Sequence, residues 1–186
     1  MEELADYSGE FKRDIKYEDF SKAALARLLN AYCNEILLVD LYWLEHMEKT
    51  AGEEKALNCL MDNWIRMGKH EIGWTMEALN IKGDDVATYA KALQLCATMA
   101  QGVFKWDFDL KSRNLLVLTL TDCPALRNME KRNPDRIPFV CHTMDLAVDR
   151  AYAAAVNPAI QVRPLKLPPR NSPDEIACQW EFRLDE

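Results

Sequence analysis

The sequence predicts an α+β fold. Long antiparallel N-terminal helices pack on a small, mostly antiparallel four-stranded sheet, and one helix is inserted between its two strand pairs. Three observations predict it. Apolar residues recur at spacings of three and four from Phe20 to Leu79, the period shifts to two at Phe104, and helical spacing returns once, from Pro138 to Asn157, before period two resumes. The 186 residues are read as a single domain, with an N-terminal arm over 1–17, a helical half over 18–101 and a sheet-containing half over 102–186.

The arm mixes charge with Tyr7, Phe11, Ile15 and Tyr17 and has no helical period. Asp19 or Ser21 caps the first helix. It carries Ala24, Leu25, Leu28, Leu29, Tyr32, Ile36, Val39, Trp43 and Met47 as far as Lys49, and Gly52 ends it. A second helix from Glu53 to Leu79 turns Ala56, Leu60, Trp64, Met67, Ile72, Met76 and Leu79 inward, with Gly68 and Gly73 bending it or admitting a close neighbour. One short turn between two long helices predicts an antiparallel pair. Asp84 or Asp85 caps a third helix carrying Tyr89, Leu93, Cys96 and Ala100, which ends before Gly102.

Phe104, Trp106, Phe108 and Leu110 alternate with Lys105, Asp107 and Asp109, the pattern of a strand with one wet face. Ser112-Arg113-Asn114 turns it back into the more apolar strand Leu115 to Thr121. Pro124 stops that strand, and a short helical piece leads to Pro138 at the first turn of a helix that runs from about Val140 to Val156. Ile160 to Leu167 is extended, but Pro164 confines it to a sheet edge or a bulge. In the last strand Ile176, Cys178, Trp180, Phe182 and Leu184 share one face and Gln179, Glu181 and Arg183 the other.

Hydrophobic residues make up 49% and charged residues 28%, the balance of an ordinary globular chain. The net charge of -7 comes without a Lys/Arg cluster, which excludes nucleic acid and anionic membrane as partners. No apolar run is long enough to span a bilayer, and the start MEELADYSGE has neither the basic nor the apolar region of a secretory signal, so a cytoplasmic location is expected. The six cysteines form no C-x-x-C pair, and in a reducing compartment they are thiols or metal ligands.

Three of them mark the candidate chemistry. Cys123 closes a strand, Cys141 lies in a helix's first turn, where amide groups and the dipole favour a thiolate, and Cys178 points inward from the last strand. Converging, they would make a three-thiolate site for zinc, with His142 or a water as fourth ligand. The plainer alternative is three small buried apolar residues. His142 and Asp145, one helical turn apart, form a candidate acid/base pair beside Cys141. Trp43, Trp64, Trp106, Phe108 and Trp180 are candidates to line an apolar pocket between helices and sheet. The Glu-x-x-His spacing of di-metal helical bundles is missing, as are a phosphate loop, a G-x-S-x-G elbow and H-E-x-x-H.

LTLTDCP at 118–124, Cys141, Asn157-Pro158 and Cys178-Gln-Trp-Glu-Phe-Arg183 resemble the L-2-amino-thiazoline-4-carboxylic acid hydrolase-like proteins from residue 104 onward. Nearly the whole chain resembles an uncharacterised cytosolic family common in anaerobic bacteria and archaea. The C-terminal order is also similar to vinyl-reductase-like ligand-binding domains, which combine a helix-and-sheet pocket with cysteine metal ligands. Asp145 follows Cys141 by four residues, where the hydrolase-like proteins commonly place an acidic residue after three.

Two readings follow. In the first, a hydrolase-like enzyme acts on a small sulfur- or nitrogen-containing compound, with Cys141 as nucleophile or ligand, Cys123 and Cys178 as ligands or supporting thiols, and His142 with Asp145 as proton relay. In the second, a non-catalytic domain binds a small molecule or metal for sensing or carrying. Both include a homodimer packed through the first two helices, whose apolar surface a small sheet covers only in part.

Overall fold

Ser21 begins the first long helix: its side-chain oxygen accepts a hydrogen bond from the Ala24 amide at 3.3 Å. The computed structural model describes residues 3–99 and 101–185. Helix α1 (Lys22–Ala51) ends at Gly52, whose φ of +87° belongs to the left-handed region that glycine tolerates, and α2 (Glu53–Ala78) starts at once. Cys33 lies near Glu71 and Asp40 bonds Trp64, so α2 returns antiparallel to α1 as expected. Ahead of α1 the arm runs back along the helix start, with Ser21 N donating to Leu4 O at 3.0 Å.

Helix α3 (Val86–Leu93) is capped by Asp85, which accepts from the amide and hydroxyl of Thr88 and pairs with Arg113 of the hairpin turn. It stops earlier than the apolar spacing predicts. The Thr98 amide and hydroxyl both donate to the buried Glu71 carboxylate at 2.9 Å, which diverts that amide from a continuing helical ladder, and Ala97–Met99 forms a 3₁₀ turn. Ala100, expected on this helix, lies outside the described residues.

Strands β1 (Lys105–Ser112) and β2 (Leu115–Asp122) form the hairpin, followed by α4 (Pro124–Arg132). A π-helical stretch, Pro138–Met144, then leads directly into α5 (Asp145–Ala154). Strands β3 (Gln161–Lys166) and β4 (Cys178–Arg183) complete an antiparallel sheet in the order β1-β2-β4-β3. Pro164 sits in the edge strand β3 beside a bulge, as its missing N–H requires.

The register sorts the side chains into two faces. Trp106, Leu120 and Cys178 form one cross-strand row, Phe108, Leu118, Trp180 and Pro164 the next, and Leu110, Leu116, Phe182 and Val162 the third. On this face Leu116, Leu118, Leu120, Trp180 and Phe182 are buried, packed with Ile72, Tyr89, Leu93, Tyr152 and Ala153 from three helices. The opposite face carries Thr119, Gln179 and Glu181, with the Gln179 amide donating to Thr119 at 2.8 Å. Expected helices-on-sheet packing is therefore present. Helix α1 stands apart: Ala24 is its one buried residue. Among the described residues no helix is long and apolar enough to cross a membrane.

Helices α2 and α5 approach so closely at Gly68 that a Cβ there would overlap the Tyr152 ring, whereas a Cβ at Gly73 meets open space. Gly68→Ala should therefore cost about 1–3 kcal/mol through overpacking. Gly73→Ala should gain about 0.5–1 kcal/mol from helix propensity. Urea denaturation of both variants checks the pair of opposite signs.

Candidate functional site

Cys123, Cys141 and Cys178 reach one region through three different elements. Cys123 follows β2 and caps α4, its sulfur accepting from the Leu126 amide at 3.3 Å. Cys178 opens β4 on the inner face of the sheet, and the Trp180 indole N–H donates to its sulfur at 3.3 Å. Cys141 lies in the π-helical stretch and is buried. The thiols of Cys123 and Cys178 each disfavour ionisation of Cys141, so the three lie within electrostatic reach of one another. Among the described residues no group of three or more His, Cys, Asp or Glu side chains is placed to hold a metal ion, and the expected three-thiolate zinc centre is not assembled. All six cysteines are free thiols.

The expected thiolate at Cys141 is also not found. Helix backbone continues from Ile137 through the π-helical stretch, so Cys141 does not sit beside free amide groups at a helix start. Burial, then the charge of Asp145, pushes its thiol up, and burial raises Cys123 to about 11 and Cys178 upward as well. All three carry their protons at neutral pH.

The π-helical stretch explains why His142 and Asp145 are not a pair. Its wider i→i+5 turn brings positions four apart nearly into line and moves positions three apart onto different sides. Cys141, Asp145 and, one α-helical turn on, Asp149 then share one face, and His142 leaves it. His142 is exposed, and its Nε2 is 2.6 Å from the Pro168 carbonyl oxygen. A carbonyl only accepts, so Nε2 carries the proton. The proton relay expected from sequence is replaced by a tether between helix and loop.

Asp145 and Asp149 are the unusual groups here. Each keeps part of its surface accessible, yet protein surrounds them closely enough that burial lifts Asp145 to about 7. Burial, followed by the charge of Asp145, raises Asp149 well above the ordinary carboxylate range. Neither carboxyl takes a hydrogen bond or an ion pair from the described residues. Tyr89, fully buried against the Phe182 ring at 5.0 Å between centroids, has an unpartnered hydroxyl that feels the charge of Asp149. Partly covered apolar groups, among them Phe104, Trp106, Phe108, Val140 and Leu146, pack against the hydrophobic core. The Trp106 indole N–H is covered and unpartnered too.

The aromatic set expected to line one pocket is split. Trp106, Phe108 and Trp180 lie on the inner face of the sheet. Trp43 and Trp64 instead line a groove of about 800 Å³ between α1 and α2, together with Tyr32, Ile36, Val39 and Met67. The reason is tertiary: α2 and α3 stand between α1 and the sheet. Asp149 and Tyr89 were not singled out from sequence. A signal for Asp149 existed, since it repeats the Cys141-to-Asp145 spacing; Tyr89 gave none beyond its helical period.

A four-stranded antiparallel sheet with helices packed on its inner face defines an α+β domain. Residues 18–184 match the family of unknown function DUF6125, and the chain belongs to that family. No curated protein and no solved structure matches it.

A carboxyl raised on folding binds its proton more tightly in the native state, so its ionisation erodes stability as pH rises from about 4 to about 7. Asp145→Asn should therefore unfold at higher urea than the parent at pH 8, by up to about 4 kcal/mol for a shift of this size, and match it at pH 4. Equal stability of the two proteins at pH 8 would contradict the enclosed position of Asp145.

Proposed function

We propose that this chain is a non-catalytic cytoplasmic domain that encloses a small molecule between α5 and the inner face of its sheet. The observation carrying this reading is a set of unmatched polar groups: acceptors at Asp145 and Asp149 and covered donors at Tyr89 and Trp106 have no partner among the described residues. Native interiors pair nearly all such groups, and a cluster left open is what a ligand completes. Against catalysis by Cys141 stand its raised thiol pKa and the engagement of His142 with Pro168, which leave no thiolate and no adjacent base. The resemblance of residues 104 onward to hydrolase-like proteins is then one of scaffold, with the reaction absent. Six unpaired thiols suit a reducing compartment.

Iodoacetamide labelling of the folded protein at neutral pH tests the reading. Cys59, which is exposed on α2, should react first, and Cys141, Cys123 and Cys178 only on unfolding. Fastest labelling at Cys141 would restore the enzyme reading.

The domain is proposed to work as a homodimer. Leu29, Tyr32, Ile36, Val39 and Trp43 follow the alternating spacing of three and four of a coiled-coil seam, and each is at least 39% exposed, Val39 reaching 69%. A second copy's α1 would bury that stripe along the groove it shares with α2. Light scattering at micromolar concentration should give twice the chain mass, and Ile36→Glu with Val39→Lys should return it to one.

A further inference from the structure

Resting on the reading of α1 and α2 as a docking face, we infer that their groove receives a basic amphipathic helix from another protein, which displaces the second copy. Three features carry it. Shape comes first. The groove of about 800 Å³ runs between two long helices, with Tyr32, Ile36, Val39 and Trp43 on the α1 side and Trp64 and Met67 on the α2 side. The α1 residues keep the spacing of three and four with which a facing helix interlocks, and from Leu29 to Trp43 they span about 21 Å, or four turns. They are exposed, so they form a surface and not a core, and a pliable methionine beside flat rings accepts side chains of varied shape.

The second feature is charge. Glu35, Asp40 and Asp62 line the groove against one guanidinium, Arg66, and none of the four is in an ion pair among the described residues. Three carboxyls less one guanidinium leave the lining a formal charge of -2. That excess complements a helix whose apolar face is flanked by lysine or arginine, and it opposes an anionic bilayer. The third is symmetry. A two-fold dimer presents the same patch from both sides, so a second copy brings carboxyls toward carboxyls whichever way its α1 runs. Like charges across an interface weaken it, and a basic helix exchanges that repulsion for attraction. The homodimer is the resting state, and the basic helix is the better occupant.

The test titrates the full chain with the peptide LKKLLKLLKKLLKLLKKL, with a scrambled peptide of equal composition, and with a version carrying glutamate for every lysine. Calorimetry should show the patterned lysine peptide binding once per chain, tenfold or more tightly than the scrambled one, and the glutamate peptide not binding. Light scattering should fall from twice the chain mass to one chain with one peptide. Ile36→Ser with Val39→Ser, both at exposed positions, should weaken binding about tenfold or more through lost apolar contact. Glu35→Gln with Asp62→Asn should weaken it about tenfold at low salt. Equal binding of the scrambled or the glutamate peptide, binding of none, or unchanged affinity in both double variants would overturn the basic-helix site. Peptide bound to an intact dimer would overturn the displacement. A chain already monomeric without peptide would overturn the homodimer and the displacement, while the titration decides the helix site by itself.

Discussion

A buried carboxylate that the protein solvates itself holds this fold together. Glu71 of α2 accepts from the Thr98 amide and hydroxyl at 2.9 Å and from the Tyr152 hydroxyl at 2.6 Å. An enclosed charge lacking such bonds costs several kcal/mol, so the three donors must be where they are. Tyr152 can donate only if α5 lies against α2, which needs the bare backbone at Gly68. Thr98 can donate only if α3 gives way to a 3₁₀ turn. One side chain thereby sets the end of α3 and the seat of α5.

The position of α5 decides the rest of the site. Once Tyr152 is anchored, Asp149 comes one turn earlier on α5 and Asp145 one turn before that, both close enough for their charge to reach Cys178. The π-helical stretch ahead of them adds Cys141 to the same line. Glu71 and the two aspartates are thus three carboxyls in neighbouring places with opposite treatment: the first is bonded three times, the others not at all among the described residues. The core has the means to satisfy a buried charge, and at α5 it does not use them.

A second tie fixes the loop between β3 and β4. Arg170, its side chain only 4% exposed, donates to Glu130 of α4 at 2.9 Å and to the Pro173 carbonyl at 2.9 Å, fixing the proline-rich loop over the ends of β2 and β4. His142 holds the same loop through Pro168. Cys123, whose sulfur caps α4, is enclosed by this arrangement, and its burial follows from the loop's anchoring. Neither tie involves the apolar stripe of α1, and the groove between α1 and α2 forms a separate surface.

The element order, the four strands, the inward face of β4 and the edge position of Pro164 were legible in the sequence. Each rests on a local rule, the period of apolar residues or the missing N–H of proline, which acts over a few neighbouring residues. The positions of Cys123 at a strand end, Cys141 at a helix entry and Cys178 on an inward strand face were legible too. The state of those thiols was not. Ionisation depends on burial and on charges from other elements, and Asp145 and the surrounding protein raise what a helix start would have lowered. The partnering of Asp145 was hidden for a different reason: one π-helical turn rotates His142 away and Cys141 into line, and residue spacing does not reveal which helical turn a segment adopts. Trp43 and Trp64 parted from Trp106, Phe108 and Trp180 because tertiary packing chooses which apolar faces meet. The sequence by itself determined which residues are apolar, how they alternate and where elements stop; the tertiary structure alone decided which polar groups are enclosed together, since enclosure is a property of contacts between segments far apart in the chain.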